Sequence, residues 1–173
     1  RDMPHYETAY ERFAETLPRD GTLAVCSAYP NAVAIARKHA KARVVTYAGA
    51  GNADYVARNV RFGPEGVRFE IMGADGSSGD LLLPMSGLHN VENAVGVYAA
   101  SRSIGLTPSQ IGAGFASFKG VKRRQEIRDD VGGVLVIDDF AHHPTAVRET
   151  IQAIRKRWPE LPVFRPKRWS AWS

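Results

Sequence analysis

The sequence predicts an α/β protein with parallel β-α units, an antiparallel segment and the beginning of a second α/β domain. A short apolar run at 23–28, a helical pattern at 32–40 and a β-rich stretch at 42–47 form a β-α-β pattern, which is typical of two parallel strands. A second apolar run at 134–137 precedes an amphipathic helix and indicates another β-α unit. The 173 residues suffice for one domain and part of a second.

Turn residues and helical periodicity predict the remaining elements. Scattered apolar positions at 6–17 favour a helix that ends near Pro18. Between residues 56 and 85, short apolar runs are separated by glycine-rich turns at 63–66 and 73–79, which favours antiparallel strands.

Two helices are expected after the antiparallel segment. Apolar residues recur at intervals of three and four from Val91 onward, and Gly105 is suited to follow the end of that helix. Thr107 and Gln110 then form a capping-box pattern for the next helix, with Pro108 at its first position.

A polar joint divides the chain into two predicted lobes. The stretch 119–124 is too polar for a core and too short for a domain, so it marks a boundary. We predict a partial first domain at 1–119, an interdomain linker at 120–130 and a truncated second domain at 131–173. The second is expected to be incomplete because so short a piece cannot bury both faces of a parallel sheet, although residues 162–164 are expected to open a further strand.

Composition argues against several protein classes. Charged residues make up 24% of the chain, and no apolar run approaches the roughly 20 residues of a membrane-spanning helix, so we expect a soluble, ordered protein without membrane contact. Cys26, the single cysteine, is interpreted as a core residue and fits a reducing cytoplasm. The amino terminus has no leader-like pattern and is interpreted as an internal cut.

The net charge of +5 is compatible with a nucleic-acid partner, but its distribution is local. Eleven of the 23 basic residues fall within 119–128 and 155–168. Such clusters bind polyanions, line phosphate sites or form solvated surface, and charge alone does not choose among these. The tryptophans are not interleaved with basic residues as a base-stacking platform requires, which disfavours a nucleic-acid-binding module.

Three separated segments carry residue types suited to a nucleotide. In the first, at 87–93, Asn90 and Asn93 each offer a donor and an acceptor, which matches the edge of an adenine ring; helix capping by Asn90 is the alternative. In the second, the guanidinium groups of Arg123 and Arg124 can reach phosphate oxygens across an interlobe cleft or form a solvated linker.

The third segment, at 138–145, reads Asp-Asp-Phe-Ala-His-His-Pro-Thr. Asp139 ends an apolar strand, where open α/β sheets place ligands, and its carboxylate can accept hydrogen bonds from ribose hydroxyls. Asp138 can share that role, cap a backbone amide or face solvent. His142 and His143 lie near a helix start, where an imidazole can donate to a phosphate. No metal ligand is predicted, because adjacent histidines followed by proline lack a ligand spacing.

In this order, the three segments resemble those of the Mur ligase family. The resemblance extends from about residue 21 to 160 and implies the later part of a central ATP-binding domain, followed by the start of a Rossmann-like carboxyl-terminal domain. It implies that the asparagines contact adenine, that Arg123 or Arg124 binds the nucleotide, and that Asp139 binds the ribose; His142 is assigned to the nucleotide as well. No catalytic residue is assigned.

The resemblance also implies a reaction. In the family, ATP with Mg²⁺ activates the lactyl carboxylate of UDP-N-acetylmuramate as an acyl phosphate, which an incoming amine attacks. Ala141, between Phe140 and the histidine pair, is most similar to the branch that joins the tripeptide L-alanyl-γ-D-glutamyl-meso-diaminopimelate to UDP-N-acetylmuramate in peptidoglycan recycling. The branch that adds L-alanine usually has tyrosine and glycine there and ranks second.

The sequence contains no phosphate loop of the Gly-x-x-Gly-Lys-Ser/Thr kind. The chain alone is therefore expected to be catalytically incompetent and to bind adenine nucleotides weakly at most. The residues after Glu160 depart from the family pattern and receive no functional assignment. A nucleotide-sensing or structural domain without catalytic activity is the remaining alternative.

Overall fold

A computed structural model of the chain describes residues 3–164. This part contains a five-stranded mixed sheet with its strands in chain order, a separate two-stranded sheet and flanking helices. No helix within it is long and apolar enough to cross a bilayer. The elements are α1 (Met3–Thr16), β1 (Thr22–Cys26), α2 (Pro30–His39), β2 (Arg43–Ala48), β3 (Tyr55–Gly63), β4 (Gly66–Gly73), β5 (Ser78–Leu83), α3 (Leu88–Ser103), α4 (Pro108–Ser117), β6 (Glu126–Val131), β7 (Val134–Asp138) and α5 (Pro144–Arg157).

The parallel half of the sheet confirms the β-α-β pattern. Strand β1 pairs in parallel with β2, α2 connects them, and β2 continues in parallel with the start of β3. Helix α2 begins at Pro30, two residues before the predicted start, because proline lacks the N–H that a first helical residue leaves unpaired. Cys26 is a core residue, and burial raises the pKa of its thiol.

The antiparallel half of the sheet is also confirmed. Strand β4 pairs with β3 on one side and β5 on the other. Gly63 and Gly66 face each other at the β3–β4 turn, and Gly66 has a φ of 132°. A Cβ atom on Gly66 would overlap the Leu83 carbonyl oxygen, so this turn requires glycine.

The main core lies between this sheet and one face of α3. Val91, Val95 and Tyr98 of α3 are 0% exposed, which confirms that the periodic positions of this helix are buried. Most of the bulk comes from apolar residues of the antiparallel strands. In the described part of the chain, the largest fully buried side chains are Tyr98, Phe69, Ile71, Leu81, Val67, Val91, Val95 and Ser86.

The predicted capping box of α4 is present. Thr107 Oγ1 accepts a hydrogen bond from the Gln110 N–H at 3.3 Å, and Gln110 Oε1 accepts from the Thr107 N–H at 2.8 Å. Gly105, with a φ of 89°, follows the end of α3 as expected.

A carboxylate ties the β4–β5 turn to α3. Asp75 Oδ2 accepts from Tyr55 Oη at 3.1 Å and from Arg102 Nη2 at 3.2 Å, while Asp75 Oδ1 accepts from the Ser77 N–H at 3.0 Å. Burial alone would raise the pKa of Asp75, but the hydrogen bonds from Ser77, Tyr55 and Arg102 outweigh it and lower that pKa to about 2.

The second lobe differs from the sequence prediction. Strand β6 occupies residues 126–131, most of which were predicted to be linker, and pairs antiparallel with β7. Gly132 and Gly133 have φ values of 59° and 81°, which suits a tight two-residue hairpin turn. Strand β6 gave no apolar signal because most of its residues are charged and exposed. Residues 162–164 form no strand.

Helix α5 attaches the second lobe to the first. Arg157 Nε donates to the Pro64 carbonyl at the β3–β4 turn at 3.0 Å, and its guanidinium lies 4.4 Å above the Trp158 ring. Lys156 Nζ lies 5.3 Å from the Phe62 ring centroid. Arg157 is only 9% exposed, and burial lowers its pKa.

We predict that Gly66→Ala lowers the free energy of unfolding by about 2 kcal/mol or more, because alanine disfavours this φ and its Cβ meets backbone. Gly63→Ala is the matched control in the same turn, since a Cβ there has no heavy atom within 4 Å. Urea denaturation measures both. Equal losses for the two variants would contradict the explanation.

The Asp75 network predicts a pH-dependent contribution to stability. Because folding lowers the pKa of Asp75 from 3.8 to about 2, its contribution is present above the unfolded pKa and is lost as pH falls through about 2. Because Asp75 is exposed and solvent screens its interactions, Asp75→Asn should destabilise the chain by about 1 kcal/mol near neutral pH, with a smaller difference from wild type near about pH 3. Denaturant curves at several pH values measure it. Asp20→Asn is the control at an exposed position and should leave the free energy of unfolding at neutral pH within about 0.5 kcal/mol of wild type.

Candidate functional site

A cavity of about 960 Å³ lies where the two lobes meet. Its first wall comes from α3, α4 and the end of β5, and its second from the joint, the segment after β7 and the start of α5. The polar side chains in these walls are His89, Asn90, Asn93, Ser101, Gln110, Arg124, Gln125, Asp139, His143, Thr145, Glu149 and Thr150.

Asn90 and Asn93 both line the cavity from the first turns of α3. Gly87, with a φ of 105°, is the N-cap residue, so the helix begins before Asn90. Asn90 does not cap the helix: its Nδ2 donates to the Ser86 carbonyl at 2.6 Å. This bond uses one of its two amide hydrogens, and the other hydrogen and Oδ1 are available to a ligand.

The structure distinguishes the two adjacent arginines. Arg124 lines the cavity and Arg123 does not. Arg123 is directed to its own lobe, where its Nε lies 3.8 Å from Asp138 Oδ2 and its guanidinium lies 5.0 Å from the Phe140 ring centroid. The Arg123 backbone N–H donates to Glu126 Oε2 at 2.8 Å, a bond that lowers the pKa of Glu126.

Asp139 lies in the cavity wall with both carboxylate oxygens already bonded to the backbone. Its Oδ2 accepts from the Gln125 N–H at 2.9 Å and its Oδ1 from the Ala141 N–H at 2.8 Å. The sequence offered the capping of a backbone amide as one possible role of Asp138. In the structure, Asp139 has this role. Each oxygen retains a second lone pair, so hydrogen bonds from ligand hydroxyl groups remain compatible with these contacts.

The two adjacent histidines also separate. His142, assigned from the sequence, is not in the cavity wall, whereas His143 is. The His142 ring packs against Phe140 at 5.0 Å between centroids, and its Nδ1 lies 3.0 Å from the Phe140 carbonyl oxygen. His143 is the N-cap residue of α5, ahead of Pro144.

Sequence reasoning missed Gln125. This residue is 8% exposed and its side-chain amide bonds to both backbone groups of Ser86, 39 positions away. A glutamine after two arginines in a polar stretch gives no signal of burial. The apolar part of the cavity was missed as well, because the helices that contribute to it were predicted to face a core and its other residues come from the end of β5 and the connecting segments. These residues are Leu83, Met85, Ala94, Val97, Leu106, Ile111, Phe115, Phe118 and Val121.

No group of three or more histidine, cysteine or acidic residues within residues 3–164 is arranged to hold a metal ion. The polar groups that line the cavity in this part of the chain are amides, a guanidinium, two imidazoles, hydroxyl groups and carboxylates.

Two family matches correspond to the two lobes. Residues 1–101 match the Mur ligase middle domain, and residues 123–164 match the Mur ligase, glutamate ligase domain. The chain belongs to the Mur ligase family. These matches confirm the resemblance carried by the three sequence segments. Members of the family are ATP-dependent ligases.

Curated relatives of this Mur ligase chain include two named UDP-N-acetylmuramate–L-alanine ligase. The protein of Phenylobacterium zucineum is 40% identical over 159 residues, which cover 89% of the chain and 33% of the relative. The protein of Desulfotalea psychrophila is 34% identical over 172 residues, which cover 98% and 37%. The chain thus spans about a third of the length of the curated relatives it matches.

Solved structures confirm the Mur ligase fold. The UDP-N-acetylmuramate-alanine ligase of Thermotoga maritima has a TM-score of 0.77 at 21% identity, covering 90% of the chain and 34% of that structure. A murein peptide ligase of Psychrobacter arcticus has a TM-score of 0.64 at 28% identity, covering 87% and 32%. The predicted α/β class is therefore correct. The domain limits drawn from the sequence remain a prediction.

The separation of Arg123 and Arg124 predicts unequal effects on nucleotide binding. Arg123→Ala and Arg124→Ala each remove one positive charge, and the two positions are adjacent. Only Arg124 lines the cavity. Arg124→Ala should weaken ATP binding by about tenfold, as expected for a lost charge-assisted hydrogen bond, and Arg123→Ala by less than about twofold. Ligand-observed NMR titration of the chain with ATP measures both. Equal weakening would show that the cavity assignment of Arg124 is wrong.

Proposed function

We propose that this chain forms the nucleotide-binding joint of an ATP-dependent ligase that joins L-alanine to UDP-N-acetylmuramate. The convergence of Asn90, Arg124 and Asp139 on one interlobe cavity carries the nucleotide part of the proposal. The names of the relatives, up to 40% identical, support L-alanine as the incoming amino acid. A cytoplasmic location follows from these substrates and remains part of the proposal.

The chemistry of the cavity suits an adenine nucleotide. The amides of Asn90 and Asn93 match the donor and acceptor groups of adenine, and the apolar surface of α3 and α4 suits the ring faces. Asp139 would accept from the ribose hydroxyls, and Arg124 with His143 would donate to phosphate oxygens. This assignment keeps four of the six residues assigned from the sequence, leaves out Arg123 and replaces His142 by His143.

Within this scheme the described residues bind and orient; they do not carry the chemical step. When bound, ATP with Mg²⁺ supplies the phosphoryl group that activates the carboxylate of UDP-N-acetylmuramate. We assign the Mg²⁺ ligands and a phosphate-loop lysine to the two thirds of the relatives' length that this chain does not cover. The 173-residue chain alone is accordingly expected to release no phosphate.

A second candidate function is ligation of the murein tripeptide to the same nucleotide sugar. Two observations favour it: the Phe140-Ala141 pair ahead of the histidines, and the 28% identity to a murein peptide ligase structure. It ranks second because the curated relatives are named for L-alanine.

The test is phosphate release by the complete product of the gene that encodes this chain. We expect release from ATP to require both UDP-N-acetylmuramate and L-alanine, and the Asp139→Ala variant to show a KM for ATP raised by about tenfold or more. Arg123→Ala is the matched control and should leave that KM within about twofold of wild type.

Release that depends on the tripeptide in place of L-alanine would replace the first candidate by the second. Release that does not depend on UDP-N-acetylmuramate, or none with either acceptor, would refute both. If Asp139→Ala raised the KM for UDP-N-acetylmuramate and left the KM for ATP unchanged, the cavity would not be the ATP site.

A further inference from the structure

Gln125 is the residue at which hydrogen bonds from both walls of the cavity meet. Its Oε1 accepts from the Ser86 N–H at 3.2 Å, and its Nε2 donates to the Ser86 carbonyl at 2.9 Å, both in the first lobe. Its own backbone N–H donates to Asp139 Oδ2, in the second lobe, at 2.9 Å. One residue therefore bonds to the backbone of one lobe and to a carboxylate of the other.

The contact between Gln125 and Ser86 is shielded from water. Gln125 is 8% exposed and Ser86 is 0% exposed. A buried amide that loses its partner stays desolvated and unpaired, so opening this contact is costly. The two bonds also fix the plane of the side-chain amide, because both end on the backbone of one residue.

The network extends to the residues assigned to the nucleotide. The Ser86 carbonyl accepts a second hydrogen bond, from Asn90 Nδ2 at 2.6 Å. On the other side of the joint, Asp139 Oδ1 accepts from the Ala141 N–H at 2.8 Å. A continuous path of hydrogen bonds thus runs from Asn90 through Ser86, Gln125 and Asp139 to Ala141.

The backbone of Gln125 indicates that these bonds hold the joint in place. Its φ is 51°, in the left-handed region that a residue with a side chain rarely adopts. Such a conformation persists only where the surroundings impose it. Here Gln125 is held by hydrogen bonds to Ser86 in the first lobe and to Asp139 in the second.

We propose that Gln125 is a positioning residue, which couples Asn90 in the first wall to Asp139 in the second by pairing its amide with Ser86. Gln125 thereby sets the separation of two groups that would hold different parts of one ligand. The consequence for ATP binding rests on the proposed function, whereas the coupling between the lobes does not.

Gln125→Met tests the coupling, because methionine keeps the length of the side chain and removes its hydrogen-bonding atoms. In the ligand-free chain, we expect amide hydrogen exchange at Ser86 and Ala141 to accelerate by about tenfold or more relative to Ile71 in β4. Gln152→Met makes the same substitution at an exposed position of α5 and should change neither rate.

A space-filling role for Gln125 predicts a different result. Methionine fills the same volume, so exchange at both amides would then stay at the wild-type rate. Acceleration at Ser86 alone would also overturn the proposal, because the effect would not reach the second lobe.

Asp139→Asn probes the same path from the other lobe. Asparagine offers one side-chain oxygen in place of two, so one of the two backbone N–H groups bonded to Asp139 loses its acceptor. The coupling predicts faster exchange at Ser86, although Ser86 does not bond to Asp139. Unchanged exchange at Ser86 would overturn the coupling, and this measurement decides the matter if Gln125→Met does not fold.

Titration of the complete product of the gene with ATP separates this inference from the proposed function. We expect Gln125→Met to bind ATP about tenfold more weakly than wild type and Gln152→Met to bind it equally. Equal affinity of wild type and Gln125→Met would overturn the positioning role. If wild type does not bind ATP, the proposed function fails, and the exchange measurements still decide the coupling.

Discussion

The surface of α3 is divided between the core and the cavity, and the arrangement of the site depends on this division. Val91, Val95 and Tyr98 pack in the core against the five-stranded sheet and are fully buried. Asn90 and Asn93 lie on other faces of the same turns and line the cavity. Because the helix is rigid and its buried face is tightly packed, the direction of the two amides is fixed by apolar residues that never contact a ligand.

A second constraint applies at the joint: its backbone N–H and carbonyl groups have little access to water and therefore need hydrogen-bond partners within the protein. The Gln125 amide satisfies the N–H and carbonyl of Ser86, and the Asp139 carboxylate satisfies the N–H groups of Gln125 and Ala141. Secondary structure normally meets this requirement through strand or helix bonds. At this joint, side chains meet it, so a change in one lobe is felt in the other.

Much of the first lobe was predictable because its signals are local. The β-α-β pattern, the glycine-rich turns and the capping box of Thr107 depend on neighbouring residues, and all three are present in the structure. Strand β6 was not predictable, because an exposed charged strand lacks apolar alternation and is defined only by its partner β7.

The site was predictable at the level of segments but not of individual residues. Each segment that resembled the family contributes to the cavity, yet adjacent residues of one type separate: Arg124 and His143 line it, whereas Arg123 and His142 pack near Phe140. Sequence spacing cannot distinguish such neighbours, because the choice depends on local backbone angles such as the φ of 58° at Arg123. Gln125 was invisible for a related reason, since its partner lies 39 positions away.

The hairpin of β6 and β7 has a consequence for how molecules of this chain meet one another. Val131 and Val134 are 61% and 63% exposed beside its glycine turn, and within residues 3–164 no third strand pairs with either edge of this sheet. Such an edge invites intermolecular strand addition. Glu126, Arg128 and Asp130 place charges along β6, and these charges disfavour such strand addition because burying them against a second copy is costly.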